Sequence, residues 1–313
     1  MRKYMTLMIA AALVPVLLAG TPAQAKKLNV VTTLTDLASI ARSVGGEDVT
    51  VISLCPGTRD PHFMPAKPSL ARKLGKADML VYDGMELEIG WLPQLIEKAR
   101  NPRVKPGARG DVDCSQAISN LLEVPAATVD RSEGDIHPLG NPHYTLDPRN
   151  AEAVADLLAE RMSDLDPVHA QAFADRAAAF KAEIEKHLPG WVEMTAKARA
   201  HHVLIYHKHW TYLVDWLGLD KIGEIEHRPG ITPSPRHVHE MMDKAKRLGD
   251  VVIIAATWDH LDAAKEVGKR SGAPLVVLPG HTGGTDGTDD YISFIDTICR
   301  SLAAATTQLQ SLR

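Results

Sequence analysis

The chain has 313 residues, a formal net charge of −4 and no lysine- and arginine-rich block. A function based on nucleic-acid binding is therefore excluded, because affinity for phosphates needs clustered positive charge. Aromatic residues make up 5% of the chain, which argues against a sugar site built by ring stacking, whereas the 14 histidines are an unusual feature of the composition.

Residues 1–25 are typical of a secretory signal peptide. Arg2 and Lys3 precede a short apolar run, and a small-x-small cleavage site, Ala-Gln-Ala, ends at residue 25. A membrane anchor needs about 20 apolar residues, and this run is shorter. Because no cysteine follows the cleavage site as a lipid attachment point, the sequence predicts a mature chain that is free in a bacterial periplasm.

The order of strand and helix patterns predicts an α/β fold with two lobes. Short β-branched apolar runs alternate with helical stretches in the first third of the chain, and the same alternation returns in the last third. Such alternation is typical of mostly parallel sheets with helices on their faces. The predicted strands span residues 28–34, 49–54, 79–84, 201–207, 251–257 and 274–280.

A continuous helical stretch separates the two sets of strands. It runs from Asn150 to about His187, and its second part reads as one long helix that begins at Asp166-Pro167 and stops at Pro189. The sequence therefore predicts two α/β lobes joined by one long rigid helix. The predicted bounds are residues 26–163 for the first lobe, 164–188 for the linking helix and 189–313 for the second lobe.

The three cysteines differ in what the sequence says about them. Cys299 shares a helical face with Ile295 and Leu302, which predicts a core residue. Cys55 and Cys114 both lie in the first half of the chain. An exported compartment permits a disulfide, but a chain of this length can bury a large core without one. A Cys55–Cys114 disulfide and two free thiols therefore both stay open.

Three histidines occupy settings that suit a ligand site. In open parallel sheets, ligands bind outside the carboxyl ends of the strands. His62 lies between two prolines after the second predicted strand, His143 follows Pro142, and His207 ends a predicted buried strand. Prolines restrict the backbone beside them, and a preorganised ligand loses less entropy on binding. Three such imidazoles are typical of a Zn²⁺ site.

The other histidines are interpreted differently. His209 lies two positions beyond His207 and would face the same way if the strand continued. The segment after His207 looks helical, however, so His209 is expected to point away from the site. Eight other histidines are interpreted as surface residues or as core residues with a hydrogen-bond partner: His137, His169, His187, His201, His202, His237, His239 and His260.

Several separate motifs, in order along the mature chain, resemble the metal-binding solute-binding proteins of bacterial ABC transporters, the zinc and manganese uptake family. The resemblance implies two α/β lobes bridged by a rigid helix, with the metal in the cleft between them. It implies His62 and His143 as ligands from the first lobe and His207 from the second. The motifs are "DPHFMPAKPS", "GMELEIGWLP", "GNPHYTLDP", "YHKHWTYLVDWLGL", "GEIEHRPGITPSPRHV" and "DDYISFIDTICRSL".

The same resemblance implies a function and a metal. The protein would be a monomeric transport component, not an enzyme, that hands a metal ion to a membrane permease with its ATPase. Manganese members of the family typically carry a carboxylate where this chain has His207. A third imidazole favours Zn²⁺ as the transported ion over Mn²⁺, which prefers oxygen donors. A manganese- or iron-binding member of the family is the alternative.

The fourth ligand is where this chain departs from the family pattern. Relatives often supply an aspartate in a Leu-Asp-Pro setting after a late strand, but here Pro279 follows Leu278 directly. The glycine-rich loop that follows offers His281 as the first choice, with Asp286 as the second. Glu226 and water are further alternatives. The histidine-rich loop of many zinc-uptake relatives is replaced by "DRSEGDIHPLG", in which His137 is an auxiliary candidate.

Two other classes of protein compete with this interpretation. A zinc hydrolase would also have three protein ligands and an open position for water, but no HExxH-type helix supplies a general base. A binding protein for an organic solute would favour aromatic or arginine side chains around its ligand, and the low aromatic content argues against it.

Overall fold

The computed structural model describes residues 26–126, 136–228 and 230–311. The predicted signal peptide lies outside these residues. The described part of the chain contains two four-stranded parallel sheets of the same topology, with orders β2-β1-β3-β4 and β6-β5-β7-β8. The strands are β1 (Leu28–Thr32), β2 (Val49–Ser53), β3 (Met79–Tyr82), β4 (Asp111–Asp113), β5 (His202–Ile205), β6 (Asp220–Glu224), β7 (Val251–Ala256) and β8 (Leu275–Leu278).

The helices cover the faces of both sheets. None of those described has the length and apolar character that crossing a bilayer requires. The α-helices are α1 (Thr35–Gly45), α2 (Pro68–Leu74), α3 (Leu92–Ala99), α4 (Pro148–Leu165), α5 (Ala170–Met194), α6 (Thr211–Leu217), α7 (Pro235–Leu248), α8 (Leu261–Ser271) and α9 (Tyr291–Ser311).

The predicted two-lobe α/β fold is confirmed, and the six predicted strands are present with ends that differ by up to two residues. Strands β4 and β6 were not predicted. Their sequences, DVD and DKIGE, are mostly polar and so lack the apolar pattern of a strand. Both strands lie at sheet edges, where incomplete burial permits polar residues. Interior strand β7, in contrast, is buried along its whole length.

One apolar cluster runs through both lobes. It includes Val30 from the first sheet, Ile254 from the second, Phe173 from α5 and Phe294 from α9. Because interior side chains pack at the density of organic crystals, this shared core resists relative motion of the lobes. The prediction of rigidly joined lobes therefore has a basis in packing as well as in the linking helix.

The linking segment differs from the prediction at one end. A short 3₁₀ turn at Pro167–His169 leads into α5. The predicted stop at Pro189 is wrong, because α5 continues through this proline to Met194. Pro189 removes one helical hydrogen bond, but Trp191 beyond it is only 1% exposed and packs in the shared core. This burial offsets the lost bond. The lobe bounds at residues 163/164 and 188/189 stay predictions.

All three cysteines are buried and free. Of the two alternatives for Cys55 and Cys114, the structure has the pair of free thiols. Burial raises the pKa of Cys55 to about 12 and that of Cys299 to about 12, so neither is a reactive thiolate. Cys299 is 0% exposed and belongs to the core, as predicted.

The lobes also meet at a tight polar contact between α1 and the loop after β8. Asp36 of α1 is 0% exposed. Its carboxylate accepts hydrogen bonds from Thr282 N at 2.6 Å, Thr282 Oγ1 at 2.8 Å and His281 Nδ1 at 2.7 Å. At Gly57, an added Cβ would lie 2.1 Å from the Thr282 carbonyl oxygen. Only glycine at position 57 permits this approach of the two backbones.

The Gly57→Ala substitution is expected to lower the free energy of unfolding by about 1–3 kcal/mol, because it overpacks a contact made by backbone atoms. Urea denaturation of both proteins measures the change. The matched control is Gly190→Ala in α5, where an added Cβ meets nothing within 4 Å. Equal stability of the two variants would contradict the assigned role of Gly57.

Candidate metal centre

Three histidines from different parts of the chain meet between the lobes. His62 lies in a 3₁₀ turn after β2, His143 precedes the turn that leads into α4, and His207 lies two residues beyond the end of β5. One ring nitrogen of each lies within 4.8 Å of those of the other two. Their ring centroids are separated by 5.3, 5.7 and 5.8 Å. The structure thus brings together the three histidines that the sequence singled out.

His62 is oriented by its own turn. Asp60 accepts hydrogen bonds from His62 N at 2.9 Å and from His62 Nδ1 at 2.6 Å. The Trp91 indole N–H donates to the carbonyl of Pro61 at 2.8 Å and holds the turn against the first lobe. Because a carboxylate only accepts, Nδ1 carries the proton and Nε2 presents a lone pair. Burial alone would raise the pKa of Asp60, but the hydrogen bonds and charge of His62 lower it.

His207 is oriented in the same way by the second lobe. Its Nδ1 donates to Glu226 Oε2 at 2.6 Å, which again leaves Nε2 as the lone-pair nitrogen. Burial opposes the charged form of His207, but the hydrogen bond and charge of Glu226 outweigh it and raise its pKa. The sequence offers Glu226 as an alternative fourth ligand. Its contact with His207 is that of a carboxylate that orients a ligating histidine and raises its basicity.

His143 lies deepest of the three, at 4% exposure. Its Nδ1 is 3.1 Å from Nδ1 of His209. Its Nε2 is buried and has no hydrogen-bond partner among the described residues. Burial, and then the neighbouring rings of His209 and His62, lower the pKa of His143 well below its usual range. The neutral ring that results is the metal-binding form of histidine.

Two further histidines also lie at this centre: His209, which was expected to point away, and His137, which was an auxiliary candidate. The expectation that His209 points away is wrong, since its ring contacts His143 and its Nε2 lies 3.0 Å from the Gly280 carbonyl oxygen. The Nε2 of His137 lies 3.1 Å from Nε2 of His62, and its Nδ1 lies 3.1 Å from the Met85 carbonyl oxygen. For His209, the only sequence signal was its spacing of two residues from His207.

The carbonyl that meets His137 belongs to an unusual turn. Gly84, Met85 and Glu86 have φ values of 88°, 49° and 65°, a left-handed conformation that costs non-glycine residues about 1 kcal/mol or more each. Glu88 stabilises this turn, because its carboxylate accepts from the backbone N–H groups of Asp83 at 2.8 Å and Gly84 at 3.3 Å. Burial raises the pKa of Glu88 to about 7. Glu88 thus supports the backbone beside the centre.

The sequence-based candidates for a fourth ligand lie farther out. His281 is 2% exposed and donates from Nδ1 to Asp36. Its ring centroid lies 5.4 Å from that of His209, and its Nε2 is buried without a hydrogen-bond partner in the described part of the chain. Asp286 is exposed on the same loop. His281 as a ligand stays a prediction, as does Asp286.

The centre opens into a cavity of about 200 Å³ lined by both lobes, including Asp60, Phe63, Trp258 and Asp259. Within residues 26–126, 136–228 and 230–311, the three histidines are the only group of His, Cys, Asp and Glu side chains that comes close enough together to hold a metal ion. Their lone pairs are directed by hydrogen bonds, and two partly buried carboxylates lie behind two of the rings. This arrangement suits a divalent cation that favours imidazole donors.

The family comparison covers nearly the whole described chain. The profile of the family described as "Zinc-uptake complex component A periplasmic" matches residues 30–305. The manganese ABC transporter substrate-binding lipoprotein scaA of Streptococcus gordonii is 28% identical over 177 residues, which are 56% of this chain and 50% of that protein. The zinc-binding lipoprotein AdcA of Streptococcus pneumoniae is 22% identical over 291 residues, 90% of this chain and 56% of that protein.

The coverage and identity of these matches limit which properties of the relatives can be assigned to this chain. The chain spans about half the length of the first curated relatives that it matches. The two relatives named above are described by different metals, manganese and zinc. A solved structure described as ZnuA aligns with a TM-score of 0.74 at 21% identity and covers 90% of this chain and 100% of that one. At this identity the structural likeness shows the fold alone.

Proposed function

The chain belongs to the zinc-uptake complex component A family, and we propose that it captures Zn²⁺ and delivers it to an ABC permease for import. The family is one of metal-binding transport components. The choice of zinc, the partner permease with its ATPase, the periplasmic location and the monomeric state are our proposals. The observation that carries the choice of zinc is the convergence of His62, His143 and His207.

The chemistry of the donors supports zinc over manganese. His62 and His207 each direct Nε2 towards the centre because Nδ1 donates to a carboxylate. Imidazole is a preferred zinc donor, whereas Mn²⁺ favours oxygen ligands. The two carboxylates lie behind the rings. Competition calorimetry on the metal-free protein tests the choice: we expect Zn²⁺ to bind with one-to-one stoichiometry and Mn²⁺ to fail to displace it. Tighter binding of Mn²⁺ or Fe²⁺ would overturn the assignment to zinc.

For the fourth ligand we propose His137. Its Nδ1 faces the Met85 carbonyl, which only accepts, so Nδ1 carries a proton and Nε2 is the nitrogen that faces Nε2 of His62. In the metal-free protein these two Nε2 atoms share one proton, which would be released when both bind zinc. Two nitrogens bound to one tetrahedral zinc at about 2.0–2.1 Å lie roughly 3.3 Å apart. The 3.1 Å between the two Nε2 atoms is close to this separation. His137 is not one of the three histidines that already lie within 4.8 Å of one another, so its ring would move towards His143 and His207 to complete the shell.

Replacement of His137 by alanine is expected to speed zinc release by about tenfold or more, because three fixed histidines still capture the ion and the loss appears mainly in the dissociation rate. Stopped-flow transfer of zinc to a chromogenic chelator measures this rate. His281→Ala and Asp286→Ala are compared in the same assay.

The three variants separate the alternatives. Faster release from His281→Ala alone would restore the ligand that the sequence favoured, and faster release from Asp286→Ala alone would assign the carboxylate. Unchanged release in all three would mean that water or another group completes the shell, and would contradict the proposal for His137.

A further inference from the structure

The contact between His143 and His209 crosses from one lobe to the other. His143 precedes α4 in the first lobe, and His209 lies in the 3₁₀ turn between β5 and α6 in the second. The two side chains are 4% and 2% exposed, and their Nδ1 atoms are 3.1 Å apart. A ligand of the first lobe is therefore in direct contact with a buried side chain of the second.

The hydrogen-bond partners determine where the protons lie. His209 Nε2 is 3.0 Å from the Gly280 carbonyl oxygen, which only accepts, so Nε2 of His209 carries its proton. Nδ1 of the neutral ring is then an acceptor. His143 must donate from its own Nδ1 to this acceptor, and its Nε2 is left with the lone pair. That Nε2 is the buried atom without a hydrogen-bond partner in the described residues.

We propose that His209 is a positioning residue, which accepts the Nδ1 proton of His143 and so fixes Nε2 of His143 as the zinc-binding nitrogen. This inference rests on the proposed zinc function. It gives His143 the same kind of support that Asp60 gives His62 and Glu226 gives His207. Each of the three proposed ligands then has a defined tautomer, set by a partner behind the ring.

The group that accepts the Nδ1 proton of His143 differs in charge from the groups that accept those of His62 and His207. The rings of His62 and His207 are backed by carboxylates, whereas His143 is backed by a neutral imidazole. Asp60 and Glu226 already oppose the charge of a divalent cation, and a further carboxylate buried behind His143 would have to lose its hydration in a setting of low dielectric. A neutral acceptor directs the lone pair of His143 without that cost.

The ring of His209 is also held in place on its other sides. Its centroid lies 4.8 Å from that of Trp210, 5.4 Å from that of Trp258 and 5.4 Å from that of His281. With Gly280 bound at Nε2, the ring has little freedom to turn. This immobility is what a residue needs if it is to fix the orientation of a neighbouring ligand.

The test uses the full mature chain with four variants and zinc chloride as the probe. His209→Asn keeps an acceptor near the position of Nδ1, His209→Gln keeps a donor near the position of Nε2 for Gly280, and His209→Leu keeps neither. His201→Leu is the matched control. His201 is also buried, at 5% exposure, but it pairs with Asp250 at the far end of β5. Chelator competition gives the zinc affinities, and long-range ¹H–¹⁵N NMR gives the proton position on His143.

We expect the metal-free parent to carry the His143 proton on Nδ1. The Gln and Leu variants should bind zinc about 10–100-fold more weakly, the loss typical of outer partners of ligands, whereas the Asn variant and the control should stay within about threefold of the parent. A purely structural role for His209 predicts the opposite order, with Gln at least as good as Asn because it keeps the Gly280 contact.

A proton on Nε2 of His143 in the metal-free parent would overturn the inference, even if the Leu variant failed to fold. Parent-like zinc affinity in both Gln and Leu variants would also overturn it. A parent that did not bind zinc would refute the proposed function instead, and the NMR measurement would still decide the position of the proton.

Discussion

Replacement of any one of His62, His143 and His207 by alanine is expected to weaken zinc binding by more than about a hundredfold. Loss of a partner behind a ligand typically costs 10–100-fold, and each of these changes removes a ligand itself. The His143 variant should also be less stable than the other two, because the change leaves the buried Nδ1 of His209 without its donor. Competition calorimetry of the metal-free variants measures the affinities.

The control for this series is His239→Ala, a histidine exposed on α7. It should bind zinc like the parent and show that loss of a histidine has no general effect. If all three variants of the centre bound zinc as tightly as the parent, the metal site would lie elsewhere and the proposed function of the cleft would be wrong.

The second large effect is expected at Asp36, whose carboxylate joins α1 to the loop after β8. Asp36→Ala leaves His281 and Thr282 without their buried acceptor. Removing one partner of a buried pair typically costs about 3–5 kcal/mol, which corresponds to a fall in melting temperature on the order of 10 °C for a chain of this size. Thermal unfolding of the metal-free proteins measures it. The control is Asp243→Ala on exposed α7, which should melt like the parent.

The pH dependence of this contact has a defined sign. Burial alone would raise the pKa of Asp36, but the charge and hydrogen bond of His281, together with Thr282, lower it below 3.8. Because the folded state then holds its proton less tightly than the unfolded state, the contact contributes fully above pH 3.8 and is lost as the pH falls through the lowered pKa. The stability difference between the parent and Asp36→Asn should therefore shrink below about pH 4. A difference that stayed constant would exclude an ionised Asp36.

Much of the architecture could be predicted from local patterns. Strands β1, β2, β3, β5, β7 and β8 are rich in β-branched and other apolar residues, so their composition predicts them. Edge strands β4 and β6 have mostly polar sequences and were therefore not predicted. The continuation of α5 past Pro189 was also not predicted. The burial of Trp191 in the shared core stabilises this part of the helix, and helix propensity alone does not reflect that burial.

The histidines also differ in whether the sequence could predict their place in the site. His62, His143 and His207 could be identified because proline neighbours or a strand end mark each of them locally. The helical character after His207 was predicted correctly, since a 3₁₀ turn forms there. The contact of His209 with His143 could not be predicted, because it depends on how the two lobes pack together.

The sequence by itself determined the α/β class, the two-lobe order and the three histidines proposed as ligands, because each of these leaves a mark within a few neighbouring residues. Only the tertiary structure decided which side chains hydrogen-bond to the three proposed ligands and that His281 pairs with Asp36. His281 meets Asp36 at a separation of 245 residues, and His143 meets His209 across the interface between the lobes. Contacts of this kind arise when separately formed elements pack together, and no periodicity along the chain records them.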